Sequence, residues 1–379
     1  MKNDVRNQFL LEPDVTFLNH GSFGACPKPV FEDYQHWQKK LEQQPVLFST
    51  ETVYEQLRQS RTALGDFVGC HEQDLVFFQN PTTAVSNIIF SLELKPGDEI
   101  LMSNHEYGAL VRAWSKWGRR QQVKIVQQEV KLPVTTRENF TDNFWAGVTQ
   151  RTKVIFLSQI TSATALEFPV QSLCELAREK GILTIIDGAH VPGQMDLNLN
   201  ELDCDFYTGA CHKWLCAPKG TSFLYVKKEH QPWVRPLIYS WGKDGDDPGP
   251  SEFLQDFQWQ GTRDMAAFLT LPKVIQFFQE HIEGKRLSCK KLIRKTSAEL
   301  ARLFNTPPIY SSADWIHQMV SHPLPVNAPE DIKERLWSAY KIEIPVFQWC
   351  GQRYIRVSCN VYNTDQQVEY FLNALRSLI

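Results

Sequence analysis

The sequence predicts an α/β protein, a mostly parallel sheet with helices on both faces, followed by a smaller α+β part. Three observations predict it. From residue 74 onward, apolar runs alternate with helical stretches. The runs are short and almost continuously apolar, as in TKVIFLSQI and ILTIID, which suits strands buried on both faces. Beyond about residue 264 the alternation gives way to two long helical patterns and then strand-like segments.

In chain order, residues 1–19 read as an N-terminal arm ending in VTFLN. HGSFGACPKP (20–29) is a loop whose glycines and small residues let backbone approach a ligand. A helix is expected from Val30 to about Phe48. A second runs through VYEQLRQSRTALGDFVG, with Val53, Leu57, Leu64, Phe67 and Val68 as its buried stripe and Gly69 as its stop. Seven strand-like runs follow: DLVFF, ILMS, VKIVQQEV, TKVIFLSQI, ILTIID, CDFYTGA and TSFLYV. PVQSLCELAREKG is a helix closed by Gly181. GKDGDDPGPSEF is a loop, and helices are expected over 264–281 and 285–304. DIKERLWSAY and DQQVEYFLNALRSLI read as helices, EIPVFQW and RYIRVSCN as strands. The expected division is an arm (1–19) on a small domain, a large domain (20–265) and a small C-terminal domain (266–379).

Composition excludes several function classes. Apolar residues make up 42% and charged residues 22%, with a formal net charge of −3, so no nucleic-acid or anionic-membrane partner is expected. The N-terminus is too polar for a signal peptide, and no apolar run approaches the ~18 residues of a membrane helix. Nine scattered cysteines contain no CxxC pair, which argues against a disulfide framework or a zinc site and makes a reducing cytoplasm the default location. The histidines 20, 105, 190 and 212 lack metal-ligand spacing.

One constellation carries chemistry. Lys213 lies in TGACHKWLCAPKG, and Asp187 ends the apolar run GILTIID. A strand-end carboxylate and a lysine after the next strand suit pyridoxal 5′-phosphate (PLP), which needs an amine for its aldehyde and a carboxylate for its pyridine nitrogen. Thr82 and Thr83 fall where a strand hands over to a helix, a favourable place for phosphate, although a plain helix cap would also explain either. His105 is a candidate to stack on the cofactor ring, with Tyr107 as its rival. His190 is a candidate for the ring's phenolic oxygen, and a surface or loop histidine is the alternative reading of each.

These stretches resemble the class V aminotransferase group of PLP enzymes of fold type I, and within it the isopenicillin N epimerase-like branch. The resemblance rests on FLNHGSFGACPKPV, QNPTTAVSN, SNHEYGALVRAW, LSQITSATA, IDGAHVPGQ, YTGACHKWLCAPKGTSFLYV, QGTRD and RYIRVSCNVYNT. It implies a large domain with a mostly parallel, seven-stranded sheet plus a smaller α+β C-terminal domain. Lys213 would bind PLP with His212 in support. Asp187 would pair with the ring nitrogen, His190 with the phenolic oxygen, and His105 would stack on the ring. Thr82 and Thr83 would hold phosphate, and Thr262 would reach the phosphate of a neighbouring subunit in a homodimer with shared sites. Arg356 would grip a substrate carboxylate, with Arg353 as rival. Asn19, His20 and Gly21 would line the substrate pocket.

Two departures from the group's pattern stand out. The expected desulfurase cysteine has only Cys350 as a counterpart, read here as a buried structural thiol beside a strand. The serine that often helps bind phosphate is Ala210, with Thr208 nearby. The expected activity is therefore that of a PLP enzyme working at Cα of an amino-acid-like substrate through an external aldimine and a quinonoid. Lys213 and His105 are its candidate catalytic residues. Epimerisation is the first reading, C–S lyase or transaminase chemistry the alternatives, and a non-catalytic PLP-binding protein the rival of another class.

Overall fold

The computed structural model describes residues 5–241 and 250–379. Most of the Gly/Pro/Asp-rich loop expected after residue 241 therefore lies outside the described residues.

Seven strands form the central sheet: β1 (Leu75–Phe78), β2 (Glu99–Ser103), β3 (Lys124–Gln128), β4 (Thr152–Ser158), β5 (Leu183–Asp187), β6 (Phe206–Ala210) and β7 (Ser222–Val226). Their order is β1-β7-β6-β5-β4-β2-β3. Among the described strands of this sheet only β7 runs antiparallel to its neighbours. The carboxyl ends of the other strands consequently share one edge, where ligands of open α/β sheets bind.

The sequence explains why both sheet faces are covered. Along β4, Ile155 and Leu157 enter one apolar cluster while Val154 and Phe156 enter the other. That is the period of two expected of a strand buried on both sides. On the second face, helix Pro81–Ser91 supplies Ile88 and helix Gly108–Gln121 supplies Leu110 and Trp114. The edge strand β3 is exposed to intermediate throughout, consistent with KIVQQ.

Preceding the sheet, helices α1 (Lys28–Gln43) and α2 (Val53–Val68) agree with the expected pair. Pro45 interrupts them, and a short π-helical turn (Phe48–Thr52) leads into α2. Gly69 ends α2 in the left-handed conformation at φ 69°. His20–Phe23, expected as loop, forms one short helical turn.

C-terminal to these elements, helix Leu271–His281 packs on α2, with Phe278 edge-on to Phe67 at 5.5 Å. A separate antiparallel sheet has the order Val346–Trp349, Gln352–Ser358, Met319–Pro323. Its hairpin turns on Cys350 and Gly351, both at positive φ (45° and 79°), as a two-residue turn of the primed kind requires. Cys350 is thus exposed at a turn rather than a buried structural thiol. The N-terminal strand Thr16–Phe17 pairs in parallel with Ile342–Glu343, so the start of the chain is fastened to its last third.

Candidate active site

Register builds the floor of the site. Ser158 and Asp187 stand side by side at the ends of β4 and β5, and Thr208 pairs with Asp187 from within β6. Just past β6, the chain turns through Cys211–Lys213 before β7 returns it. A cavity of about 600 Å³ opens above these ends, within the usual range for small-molecule sites. Gly21, Thr82, Thr83, Tyr107, Asp187, His190, His212, Lys213 and Arg356 all line it. Stretches distant in sequence thus meet at one point.

Lys213 Nζ lies 3.2 Å from His190 Nε2. Burial pulls the Lys213 amine down from its ordinary value to about 8; Asp187 opposes the shift and Arg356 adds to it. His190 Nδ1 accepts from the Trp214 indole N–H at 3.2 Å. An indole can only donate, so the neutral imidazole carries its proton on Nε2, the nitrogen facing Lys213. Burial first, then the Lys213 charge, holds His190 well below the usual histidine range and keeps it neutral. Asp187 Oδ1 accepts the Ala189 N–H at 2.9 Å, while its other oxygen takes no partner among the described residues. Burial raises the Asp187 carboxyl; the Ala189 N–H and Lys213 pull against that.

The helix that follows β1 begins at Pro81 and is capped by Asn80, whose Oδ1 accepts from Thr83 N at 2.9 Å and Thr83 Oγ1 at 3.1 Å. Asn80, not a threonine, is therefore the cap, which leaves Thr82 beside a helix N-terminus that favours anions. His212 Nδ1 donates to the Thr221 carbonyl at 2.9 Å, so its Nε2 is unprotonated when neutral. Ala210 is fully buried, and Thr208 spends its hydroxyl on the Phe223 carbonyl at 2.8 Å. Thr208 is thus no substitute for the missing phosphate serine.

Arg356 is nearly buried. Its Nη1 donates to the Ser162 carbonyl at 2.6 Å, its Nη2 donates to Ser22 Oγ at 2.9 Å, and its Nε is left without a partner among the described residues. Burial lowers its guanidinium to about 10. Arg353 is committed instead to the Ala328 and Pro329 carbonyls, which removes it as a rival.

Several expected residues stand elsewhere. His105 does not line the cavity. Its ring is fully buried, bonded to Thr164 Oγ1 at 2.7 Å and the Val130 carbonyl at 2.9 Å, and packed on Trp349 at 4.4 Å. The strand has already ended at Ser103, and the turn over residues 104–106 buries His105 and brings Tyr107 to the cavity. His20 sits behind the lysine, with Nε2 3.0 Å from the Lys213 carbonyl and Nδ1 2.6 Å from Tyr362 Oη. Asn19 acts at one remove, accepting from Ser22 Oγ at 2.5 Å. Thr262 is exposed and lies away from the cavity of its own chain.

Sequence reasoning missed Ser22, Ser162, Glu106 and Gly24. Glu106 is buried and accepts from Ser103 Oγ, Ser158 Oγ and Ser158 N, and burial raises its carboxyl to about 7. Gly24 has φ 69°, and a Cβ there would lie 2.2 Å from the His212 carbonyl. The loop therefore lies directly on the backbone of the lysine turn. A glycine pair in NHGSFG was the available signal; nothing in sequence marked Glu106. None of the nine cysteines lines the cavity.

The donor set fits PLP. A buried amine of lowered basicity, a carboxylate with one free oxygen, a fixed imidazole N–H and a helix start converge on a single cavity. Comparison with known proteins agrees. The aminotransferase class-V family model matches residues 24–371. The isopenicillin N epimerase of Amycolatopsis lactamdurans is 32% identical, covering 99% of this chain and 98% of that protein. A probable chloroplastic L-cysteine desulfhydrase of Arabidopsis thaliana is 25% identical over 97% of this chain and 84% of its own. Among solved structures, a C-DES variant with glycine covalently linked to its PLP cofactor superposes with a TM-score of 0.85 at 19% identity, covering 99% of each chain.

Proposed function

Because this chain belongs to the class-V aminotransferase family, we propose that it is an amino-acid epimerase, acting by proton removal and return at Cα of an amino-acid-like substrate. It is a PLP-dependent enzyme. PLP, when bound, supplies an aldehyde for an amine and a ring that draws electron density from Cα. Every other contribution belongs to side chains of this chain.

The observation that carries the reading is the state of Lys213. Its amine is buried, lowered to about 8, and held beside the His190 Nε2–H in the same cavity as Asp187. A lysine of that basicity can carry a proton between Cα and its own Nζ near neutral pH. Asp187 favours a proton on the ring nitrogen, and the His190 Nε2–H donates to an oxygen anion placed where it points. Thr82 and the open N–H groups of the helix start hold phosphate, Thr83 fixes that turn through Asn80, His212 supports the lysine turn through the Thr221 carbonyl, and Arg356, with its free Nε–H, takes the substrate carboxylate. Tyr107 replaces His105 as the group that covers the ring and as the second proton carrier. Asn19 and His20 become positioning residues, for Ser22 and for the Lys213 backbone.

C–S lyase chemistry is the second reading, favoured by the resemblance to the desulfhydrase. A desulfurase cycle through a cysteine persulfide is disfavoured by the cysteine-free cavity lining. A homodimer in which Thr262 completes a partner's phosphate site, and a cytoplasmic setting, belong to the same proposal. No helix among the described residues is long and apolar enough to cross a membrane. The division at 19 and 265 is supported by the separate C-terminal sheet, although helix Leu271–His281 lies across that seam.

Incubation in deuterium oxide with L-amino acids and with peptides or amides carrying a free α-amino group tests the reading. The expected result is solvent deuterium at Cα with inversion, abolished by Lys213→Ala and reduced at least tenfold by Tyr107→Phe. Release of pyruvate from cysteine without inversion of any substrate would establish the lyase reading instead.

A further inference from the structure

On the α2 side of β1, away from the cavity, the molecule buries one cationic side chain and half-buries a second beside it. Arg61, on α2, is 2% exposed. Its Nη1 donates to Gln258 Oε1 over a long 3.4 Å, and its Nε has no partner among the described residues. Arg263 has its guanidinium 4.9 Å over the Phe268 ring, and its Nε is likewise buried without a partner. Neither arginine forms an ion pair with a carboxylate among the described residues. The acid nearest in effect to Arg61 is Glu72, whose Oε2 accepts from Thr62 Oγ1 at 2.6 Å.

Both arginines line one small chamber, walled also by Leu57, Phe77, Gln258 and Phe268. A buried and a half-buried guanidinium around a shared space, with no counter-charge among the described residues, are unfavourable, because arginine stays charged at every working pH. Burial lowers both groups from their ordinary values, Arg61 to about 10, which reflects the same missing compensation.

The chamber measures about 10 Å³, room for one water-sized particle. Phosphate, sulfate and organic carboxylates are too large for it. Leu57, Val76, Phe77 and Phe268 are themselves buried, so the walls leave little passage for a long acidic side chain from another molecule. We propose that Arg61 and Arg263 together bind one monatomic anion of the halide class, chloride in the cell. The ion fastens the segment 258–263 to α2 and β1. The Nε–H groups of Arg61 and Arg263 donate to it, its negative charge offsets the burial of the two guanidinium groups, and the segment it fastens carries Thr262.

The test uses the PLP-loaded full-length protein at constant ionic strength, with sodium gluconate exchanged for sodium chloride or bromide. The thermal midpoint is expected to rise saturably, on the order of 2 °C, with either halide. Arg263→Met, at the less buried of the two positions, is expected to remove that dependence while the protein retains its PLP absorbance. Because an Arg61 variant could fail to fold, the second measurement is on unaltered protein: anomalous scattering from a bromide-soaked crystal is expected to place one bromide between the two guanidinium groups. A midpoint indifferent to halide overturns the proposal. So does a crystal in which a carboxylate from a second copy of the chain sits between the arginines.

Discussion

At the scale of the residue, the role proposed for Lys213 rests on its basicity, which gives a prediction with a definite sign. The neutral amine is the form that attacks an aldehyde, so capture of added PLP by the apoprotein follows the deprotonated fraction. With the amine near 8, the rate is expected to rise about tenfold between pH 7 and pH 9 and then level off. Stopped-flow absorbance across that range checks it; a rate still climbing at pH 10 would mean an unshifted lysine. Lys213 and Asp187 were legible in the sequence because each ends or follows an apolar run and their chemistry is complementary. The choice between His105 and Tyr107 was not, since both sit within one loop and only the direction in which the chain leaves β2 separates them. Glu106 was hidden for a related reason: an acidic residue on a polar stretch reads as surface until three donors are seen to converge on it.

At the scale of the element, the helix beginning at Pro81 joins a cap and a proposed phosphate site in one turn. Asn80 satisfies Thr83 N and so leaves the first turn's dipole directed at the cavity. Asn80→Ala is expected to cost about 1 kcal/mol of stability and to weaken PLP retention. Asn80→Asp should keep the cap, hence the thermal midpoint, while placing a negative charge beside the phosphate position and loosening PLP further. Melting curves and PLP dissociation measured on both variants separate the two effects; equal loss of PLP in both would deny the electrostatic part. The seven strands were readable from their apolar runs, and so was the Gly69 stop. Their spatial order was not, because periodicity says which faces are buried but not which strand lies beside which. The antiparallel β7 in particular follows from the return of the chain after Lys213, which no local pattern announces.

At the scale of the whole molecule, the interior holds His20, His105, His190 and His212 as neutral rings. Burial lowers His20 to about 3 and His105 and His212 to about 4, and holds His190 lower than its ordinary value as well. In each case the unfolded chain binds the proton first on acidification. Their stabilising contribution is therefore present above about pH 6.5 and is lost as pH falls toward the folded values, at roughly 1.4 kcal/mol per pH unit for each histidine. Glu106 works the other way, since its carboxyl is raised to about 7 and its contribution is lost as pH rises from about 4.5 to 7. The histidines outnumber it, so urea midpoints are expected to fall between pH 6.5 and pH 5. A midpoint that is flat or rising over that interval would show that the buried rings are protonated in the native state. The pairing of Thr16–Phe17 with Ile342–Glu343, and of Ser22 with Arg356, has a consequence for biosynthesis. A ribosome delivers the first of these segments long before the second. The lysine turn and the helix start proposed to hold phosphate precede residue 220, whereas the corner proposed to hold a carboxylate needs Arg356, from the final stretch of translation. On the proposed roles, the parts of the cofactor site precede those of the substrate site in synthesis, and strand Thr16–Phe17 stays without its native partner during that interval.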